Sequence, residues 1–334
     1  MDPDTAMETF SEGAKAATKF GEILEKVFGP RWTRKQAEAD AYADEKKLQT
    51  IRNNPDMDIV YVNGQLNAKM KTPEALQMRA EIREHQESIR QQSNIENVLS
   101  QTANELLYTS DDAVSDDPID DDWIARFFGI IRDISSQEMQ FIWSKILAGE
   151  IKKPGSFSLR TLDVIRNLSQ SEAIAFKKIV PFIVNNGPIY FILENLKYKE
   201  KYKIRHTDFL TLDACGLISL NNSTVYDPKI GKSFQKYIVN DSYIVLARST
   251  SEQEITVTTE IYPLTKVGQE LYSILDHPVD EQIMKDLAKS IYDRNSKNSE
   301  ISVHRLLSMQ EEDDIYHYQF EKSPIIQYRD GNQS

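Results

Sequence analysis

The residue types that most often perform catalysis are present in this sequence, but their spacing matches no catalytic pattern. The histidines lack both the HExxH spacing and a nearby cysteine, either of which would indicate a zinc site. The five are His85, His206, His277, His304 and His317. No GxSxG nucleophile motif is present, and no glycine-rich loop precedes a helix as a phosphate-binding loop would. We therefore expect no catalytic residue, no cofactor and no metal site.

The single cysteine and the paired acids give no stronger indication of an enzyme. Cys215 cannot form a disulfide within the chain, and its neighbours LDACGLISL predict a buried helix end. Acid pairs such as Asp121 and Asp122 could act in acid–base chemistry, but their polar surroundings predict solvated side chains. One cysteine suits a reducing compartment, so the sequence predicts a cytoplasmic protein. Because no catalytic pattern is present, it also predicts that the protein is not an enzyme.

Seven aspartates lie between Asp111 and Asp122 in the segment DDAVSDDPIDDD. A calcium loop is one interpretation, but the segment lacks the turn glycine and the terminal glutamate of an EF-hand. The alternative is an acidic linker whose last carboxylates favour the positive N-terminal end of a helix that begins near Trp123. We predict the linker.

The composition is that of a globular protein. Hydrophobic residues make up 40% and charged residues 28% of the 334 residues. No apolar run approaches the roughly 18–20 residues that cross a membrane, and the N-terminus lacks the basic and apolar segments of a signal peptide. An amphipathic helix is predicted from Thr9 to Gly29. Its mixed charges favour packing against a protein, in the same chain or in a second copy, over binding to a membrane.

The most sharply patterned segment, residues 123–173, predicts a stack of short helices. Apolar residues recur at helical spacing, and a Pro-Gly pair interrupts the helices. Ser135 with Glu138 matches the capping-box pattern, as does a second serine–glutamate pair further on. The residues expected to fix the corners are Trp123, Trp143, Pro154, Gly155, Ser158, Arg160, Ser169 and Glu172. We predict a structural role for them and no bond-making chemistry.

After Gly187 the pattern changes to mixed strands and helices. HTDFLTLDACGLISL predicts a helix that ends in a turn at Gly216, and β-rich segments and the helical LTKVGQELYSIL follow. This order of elements predicts a winged-helix-like module, and the expected class is α+β, predominantly helical. The predicted domains are residues 1–110 (N-terminal helical region), 111–122 (acidic linker), 123–186 (central helical stack), 187–310 (winged-helix-like module) and 311–334 (polar tail, expected to be poorly ordered).

A basic segment interleaved with tyrosines, KYKEKYKIR, precedes that module. The segment from Lys197 to Lys236 contains eight basic and four acidic residues, although the whole chain carries a net charge of -12. Alternating lysines can protect an exposed strand edge, and this is one interpretation. Phosphate contact with nucleic acid is the other. The residues that would make that contact are Lys197, Lys199, Lys201, Lys203, Arg205, Lys232 and Lys236.

The segment DDWIARFFGIIRDISSQEMQFIWSKILAGEIKKPGSFSLRTLDVIRNLSQSEA resembles the bacterial family known as domain of unknown function 2806. RQQSNIENVLSQTANEL and LTKVGQELYSIL resemble other parts of that family, so the resemblance extends from about Arg83 to Leu307. It implies no reaction or ligand. The same pattern is faintly similar to the Abi-alpha group of abortive-infection proteins, which implies a role in defence against phage or other mobile elements.

The sequence therefore favours an interaction or sensor protein of bacterial defence that binds a protein partner or itself. One alternative is a DNA-binding regulator that acts through the C-terminal module, and another is an abortive-infection effector that acts on membranes through its N-terminal helix. No small-molecule substrate is evident from the sequence.

Overall fold

A computed structural model gives the fold of residues 14–29, 59–62, 65–68, 73–194, 201–220, 224–275, 280–295, 297–312, 315–329 and 332–333. Internal contacts divide the chain into two compact units, residues 1–159 and 160–334. The first unit is mainly helical, and the second combines helices with an antiparallel sheet. The predicted α+β class is therefore confirmed.

The first unit consists, in its described part, of four helices and a two-stranded antiparallel hairpin. These elements are α1 (Ala14–Phe28), β1 (Ile59–Val62), β2 (Gln65–Ala68), α2 (Pro73–Leu106), α3 (Asp121–Ile131) and α4 (Gln137–Lys152). Thr72, Pro73 and Glu74 predict a helix start in the sequence, since proline at the first helical position leaves no N–H unpaired. Helix α2 begins at Pro73, as this pattern predicts.

An aromatic cluster between α3 and α4 forms the centre of this unit. Trp123 stacks on Phe127 with 5.0 Å between ring centroids, and Phe127 meets Trp143 edge-on at 5.7 Å. Phe127 and Trp143 are fully buried. Such rings bury a large apolar area each, so the helical spacing of aromatic residues in the sequence is accounted for by core packing.

Helix α4 begins one residue later than its capping pattern predicted. Ser136, not Ser135, occupies the position before the helix, and its side chain makes no capping hydrogen bond. The Ser135 hydroxyl instead accepts a hydrogen bond of 3.2 Å from the buried amide of Asn94 on α2. A tertiary contact has replaced the local cap.

The acidic segment before α3 contacts α1 through its carboxylates. The ammonium group of Lys15 lies 2.8 Å from Asp116, and that of Lys26 lies 2.6 Å from Asp121. Asp120 accepts a hydrogen bond of 2.8 Å from the backbone N–H of Trp123, so it caps α3. The predicted start of the helix near Trp123 is correct, and two of the seven aspartates form ion pairs with lysines of α1.

The second unit contains five helices and twelve strands in its described part. The helices are α5 (Leu159–Asn167), α6 (Gln170–Ile179), α7 (His206–Ala214), α8 (Lys266–Tyr272) and α9 (Glu281–Arg294). The strands are β3 (Ile183–Asn186), β4 (Ile189–Leu193), β5 (Thr224–Tyr226), β6 (Lys229–Ile230), β7 (Gln235–Val239), β8 (Tyr243–Ser249), β9 (Ile255–Thr256), β10 (Thr259–Pro263), β11 (Ser299–Glu312), β12 (Ile315–Phe320), β13 (Ile326–Arg329) and β14 (Asn332–Gln333).

Ten of these strands form one antiparallel sheet in the order β14-β13-β11-β8-β7-β3-β4-β10-β5, with β12 paired to β11. Strands β6 and β9 pair separately. The long strand β11 lies between β8 and β13 over its first half and continues as a hairpin with β12. This arrangement places the ends of β8, β11 and β13 side by side.

Strands β12 and β13 lie in the segment that was expected to be a poorly ordered tail. Tyr318 and Phe320 alternate along β12 and pack against the buried side chains of Val239, Ile244 and Leu246. Apolar residues at every second position place their side chains on one face of a strand, and burial of that face stabilises the hairpin. Because the segment is polar overall, it was predicted to be a poorly ordered tail and this alternation was not recognised.

Candidate functional site

The Pro-Gly corner of the patterned segment is held by a buried carboxylate. Glu150, at the end of α4, is 1% exposed, and it accepts backbone hydrogen bonds from Gly155 at 2.6 Å and from Phe157 at 3.0 Å. The indole N–H of Trp123 donates to the carbonyl of Phe157 at 2.8 Å. These contacts join the corner to α4 through Glu150 and to α3 through Trp123, so they fix the direction of the chain there.

Two glycines are required at this corner for different reasons. Gly155 follows Pro154 and has φ of +82°, a left-handed conformation that other residues rarely adopt. A Cβ on Gly149 would lie 2.7 Å from the ring of Phe157, so only glycine lets that ring pack on α4. Helix α5 begins directly after Ser158.

The second predicted cap, at the start of α6, forms a complete capping box. Ser169 accepts a hydrogen bond from the backbone N–H of Glu172, and the carboxylate of Glu172 accepts one of 2.6 Å from the backbone N–H of Ser169. That backbone N–H, followed by the Ser169 hydroxyl, lowers the pKa of Glu172 below its usual value. The capping pattern in the sequence was therefore correct at this corner.

A pH titration of stability should detect the contribution of Glu172. Because the folded-state pKa is lowered, the carboxylate stabilises the fold above its unfolded pKa, and this stabilisation is lost as the pH falls through the lowered folded value. We expect Glu172→Gln to be less stable than wild type at pH 7 and equal to it in strong acid. Urea unfolding at several pH values measures this difference, and a gap that stayed constant with pH would contradict the prediction.

A groove of about 540 Å³ lies beside this cap, lined by Arg160, Asp163, Val164, Asn167, Leu168, Glu172 and Cys215. Burial raises the pKa of the Cys215 thiol, and the nearby Glu172 carboxylate acts in the same direction. The thiol is therefore protonated near neutral pH, and a protonated thiol is a poor nucleophile. Arg160 contributes to the wall of this groove.

Several of the residues predicted to contact nucleic acid are engaged by neighbouring side chains in the described part of the chain. Lys197 and Lys199 lie outside the described residues. Lys201 lies 2.5 Å from Asp286, and this hydrogen bond raises the pKa of Lys201. Lys203 is exposed in a left-handed conformation with φ of 58°. Arg205 is exposed just before α7.

The two remaining predicted residues lie on and beside the strands. Lys236 is half-buried, which lowers its pKa, and its ammonium group lies 2.9 Å from the Tyr318 hydroxyl and 4.6 Å from the centre of that ring. Lys232 forms an ion pair with Glu252. Of the five predicted residues that the structure describes, Lys201, Lys232 and Lys236 are therefore engaged by neighbouring side chains.

Lys232 instead joins cations that the sequence analysis did not single out. It lines a cleft of about 400 Å³ together with Arg248, Ser249, Thr250, Glu300 and Arg329. Arg248 and Glu300 are direct cross-strand partners on β8 and β11. The next register position beyond the Ile301–Tyr328 pair places Arg329 of β13 opposite Glu300. A carboxylate thus lies between two arginines at the end of the sheet.

The buried carboxylate fixes one of these arginines. The Nε and Nη2 atoms of Arg248 donate to one oxygen of Glu300 at 2.9 and 2.7 Å, and Gln327 donates to the other oxygen. The side chain of Glu300 is 2% exposed, whereas that of Arg248 is 37% exposed. The ring of Phe234 lies 4.5 Å from the guanidinium carbon of Arg248. The guanidinium group is therefore held in one orientation with part of it open to solvent.

This arrangement suits the binding of an anion. Three cations and one carboxylate line the cleft, and both oxygens of that carboxylate accept hydrogen bonds. The Ser249 hydroxyl bonds to Ser251 and Gln253, so it is also engaged. Among the described residues, no group of three or more His, Cys, Asp or Glu side chains could hold a metal ion. None of the described helices is both long and apolar enough to span a membrane.

The second unit is therefore an antiparallel α+β structure with a positively charged cleft at one end of its sheet. The chain belongs to the family described as "Protein of unknown function (DUF2806)", whose model matches residues 78–288. This confirms the predicted resemblance to domain of unknown function 2806. Neither the curated proteins nor the solved structures include a match to the chain.

Proposed function

We propose that this protein is a non-enzymatic interaction or sensor protein of bacterial defence, and that it recognises an anionic ligand in the cleft formed by Lys232, Arg248 and Arg329. The observation that carries the proposal is the fixed guanidinium group of Arg248, which is held by the buried Glu300 and lines the cleft. A preorganised cation binds an anion at a low entropic cost. Because the cleft carboxylate is engaged by two partners, it is poorly placed to act as a base, which favours recognition over turnover.

The link to defence rests on the faint similarity to the Abi-alpha group of abortive-infection proteins, which is a similarity of pattern. Phage challenge of cells that express the protein tests it. We expect wild type to reduce plaque numbers at least ten-fold relative to an empty vector. Arg305→Ala replaces an exposed arginine of β11 that lies outside the cleft, and this control variant should protect as wild type does. Plaque numbers equal to those of the empty vector, across a panel of unrelated phages, would remove the support for a defence role.

A DNA-binding regulator remains the second candidate because of one local arrangement. Helix α7 ends at a turn in which Gly216 has φ of +76°, Ile218 bridges to Leu264, and Thr265 then caps α8. A helix, a turn, paired strands and a closing helix are the parts of a winged-helix module, and we propose that these elements form one.

The lysines before α7 provide the test of this second candidate. We expect the triple variant Lys199→Ala, Lys201→Ala and Lys203→Ala to weaken binding to duplex DNA and to flatten its salt dependence, since each lost phosphate contact removes part of the salt slope. Fluorescence anisotropy at 50–200 mM salt measures both quantities. Affinity and slope equal to those of wild type would reject DNA binding through this segment.

A further inference from the structure

We infer that the cleft binds the phosphate group of a small phosphate monoester, of the size of a mononucleotide. The inference rests on the proposed function and names its ligand. Two donors of Arg248 are committed to Glu300, but Nη1 has no hydrogen-bond partner among the described residues. Arg329 is exposed and forms no ion pair within the described part of the chain. The hydroxyl-bearing Thr250 is also exposed at the cleft.

The number and placement of these donors favour a phosphate over a carboxylate. Lys232, Arg248 and Arg329 come from the turn after β6, from β8 and from β13, so they approach a bound group from different directions. A phosphate monoester has three terminal oxygens and a charge of about −1.5 to −2 at neutral pH. A carboxylate has two oxygens and one charge. Arginine also forms paired hydrogen bonds with phosphate, which lysine alone does not provide.

The ion pair of Lys232 does not prevent this binding. Glu252, its partner, has a side chain that is 87% exposed, and the Lys232 side chain is 57% exposed. Exposed pairs of this kind contribute little to stability. Lys232 can therefore exchange the Glu252 carboxylate for a phosphate oxygen at a small cost.

The same surroundings favour a small ligand over a nucleic-acid strand. A volume of about 400 Å³ is within the range of small-molecule pockets. Glu252, in the loop after β8, pairs with Lys232 at this cleft, and Glu254 lies two positions further along the chain. A strand carries a phosphate at every nucleotide, so it would bring further phosphates toward this acidic loop, whereas an isolated phosphate group would only replace the Glu252 carboxylate at Lys232.

Isothermal titration of the full chain with adenosine monophosphate tests the inference. Adenosine, inorganic phosphate and a twelve-nucleotide single strand without terminal phosphate are the comparison ligands. We expect adenosine monophosphate to bind, inorganic phosphate to compete with it, and adenosine to give no heat. Arg329→Ala should weaken the binding of adenosine monophosphate at least ten-fold, because a charge-assisted contact is lost. Arg329→Lys should restore part of the affinity, and Arg305→Ala should bind as wild type does.

Three results would overturn the inference: no binding of adenosine monophosphate at millimolar concentration by folded protein, an unchanged dissociation constant in Arg329→Ala, or tighter binding of the oligonucleotide than of the nucleotide. Phage challenge separates this inference from the proposed function. Protection by wild type without nucleotide binding would reject the ligand alone. If wild type bound the nucleotide, Arg329→Ala did not, and wild type gave no protection, the site would be supported and the defence role would be rejected.

Discussion

Replacing Glu150 with alanine is expected to destabilise the first unit by about 3–5 kcal/mol, because two backbone N–H groups, one of them buried, would lose a charged acceptor. These are the N–H groups of Gly155 and Phe157, which the carboxylate holds at 2.6 and 3.0 Å. No other acceptor in the described corner accepts from these two groups. Urea unfolding followed by tryptophan fluorescence measures the loss, since Trp123 and Trp143 lie in the core of this unit. Hydrogen exchange of residues 150–160 should show both amides losing protection.

Two further variants make this test specific to the buried carboxylate. Glu138→Ala removes an exposed glutamate from the same helix, and it should change the free energy of unfolding by less than about 0.5 kcal/mol. Glu150→Gln keeps one oxygen acceptor, so it should fall between wild type and Glu150→Ala. If Glu150→Ala were as stable as the Glu138 control, the corner would be held by other contacts.

Local signals allowed the sequence to predict the helix starts well. The Thr-Pro-Glu pattern located the start of α2 at Pro73, and the serine–glutamate pair located the capping box of α6 at Ser169. Both features depend on residues within one turn of each other, so the information is contained in a short segment. Ser135 shows the limit of that reasoning, because the buried Asn94 of α2, 41 positions away in the sequence, competes for its hydroxyl.

The features that sequence reasoning missed depend on pairs that are distant in the chain. Glu150 had the spacing of an ordinary charged residue in a helix, and only the fold shows that the chain returns over it. The cleft combines Arg248 with Glu300, which are 52 positions apart, and with Arg329 on a third strand. The pairing of β8 with β11 and β13 brings them together, and no local pattern encodes that register. The alternation of Tyr316, Tyr318 and Phe320 at every second position was a signal that could have predicted strand β12 in the segment expected to be a polar tail.

The turn after α7, formed by Gly216, Leu217 and Ile218, packs so closely against the start of α8 that Gly268→Ala should destabilise the second unit by about 3 kcal/mol. A Cβ at this position would lie 2.0 Å from the carbonyl oxygen of Leu217 and 3.0 Å from its carbonyl carbon. Both are backbone atoms, so a change of rotamer cannot relieve the contact. Leu217 is also fixed, because its carbonyl accepts a hydrogen bond of 3.0 Å from the backbone N–H of Thr265.

The matched control for this substitution is Gly129→Ala, which makes the same chemical change in α3. A Cβ on Gly129 would meet no atom within 4 Å, and the residue is exposed. Alanine is the better helix former, so we expect this variant to gain about 0.5–1 kcal/mol. Urea unfolding measures the change in the free energy of unfolding of each variant. The two changes should have opposite signs, although each substitution adds one methyl group. Equal stability of Gly268→Ala and wild type would show that the turn at Leu217 can move away from α8, and that the close approach is not required by the fold.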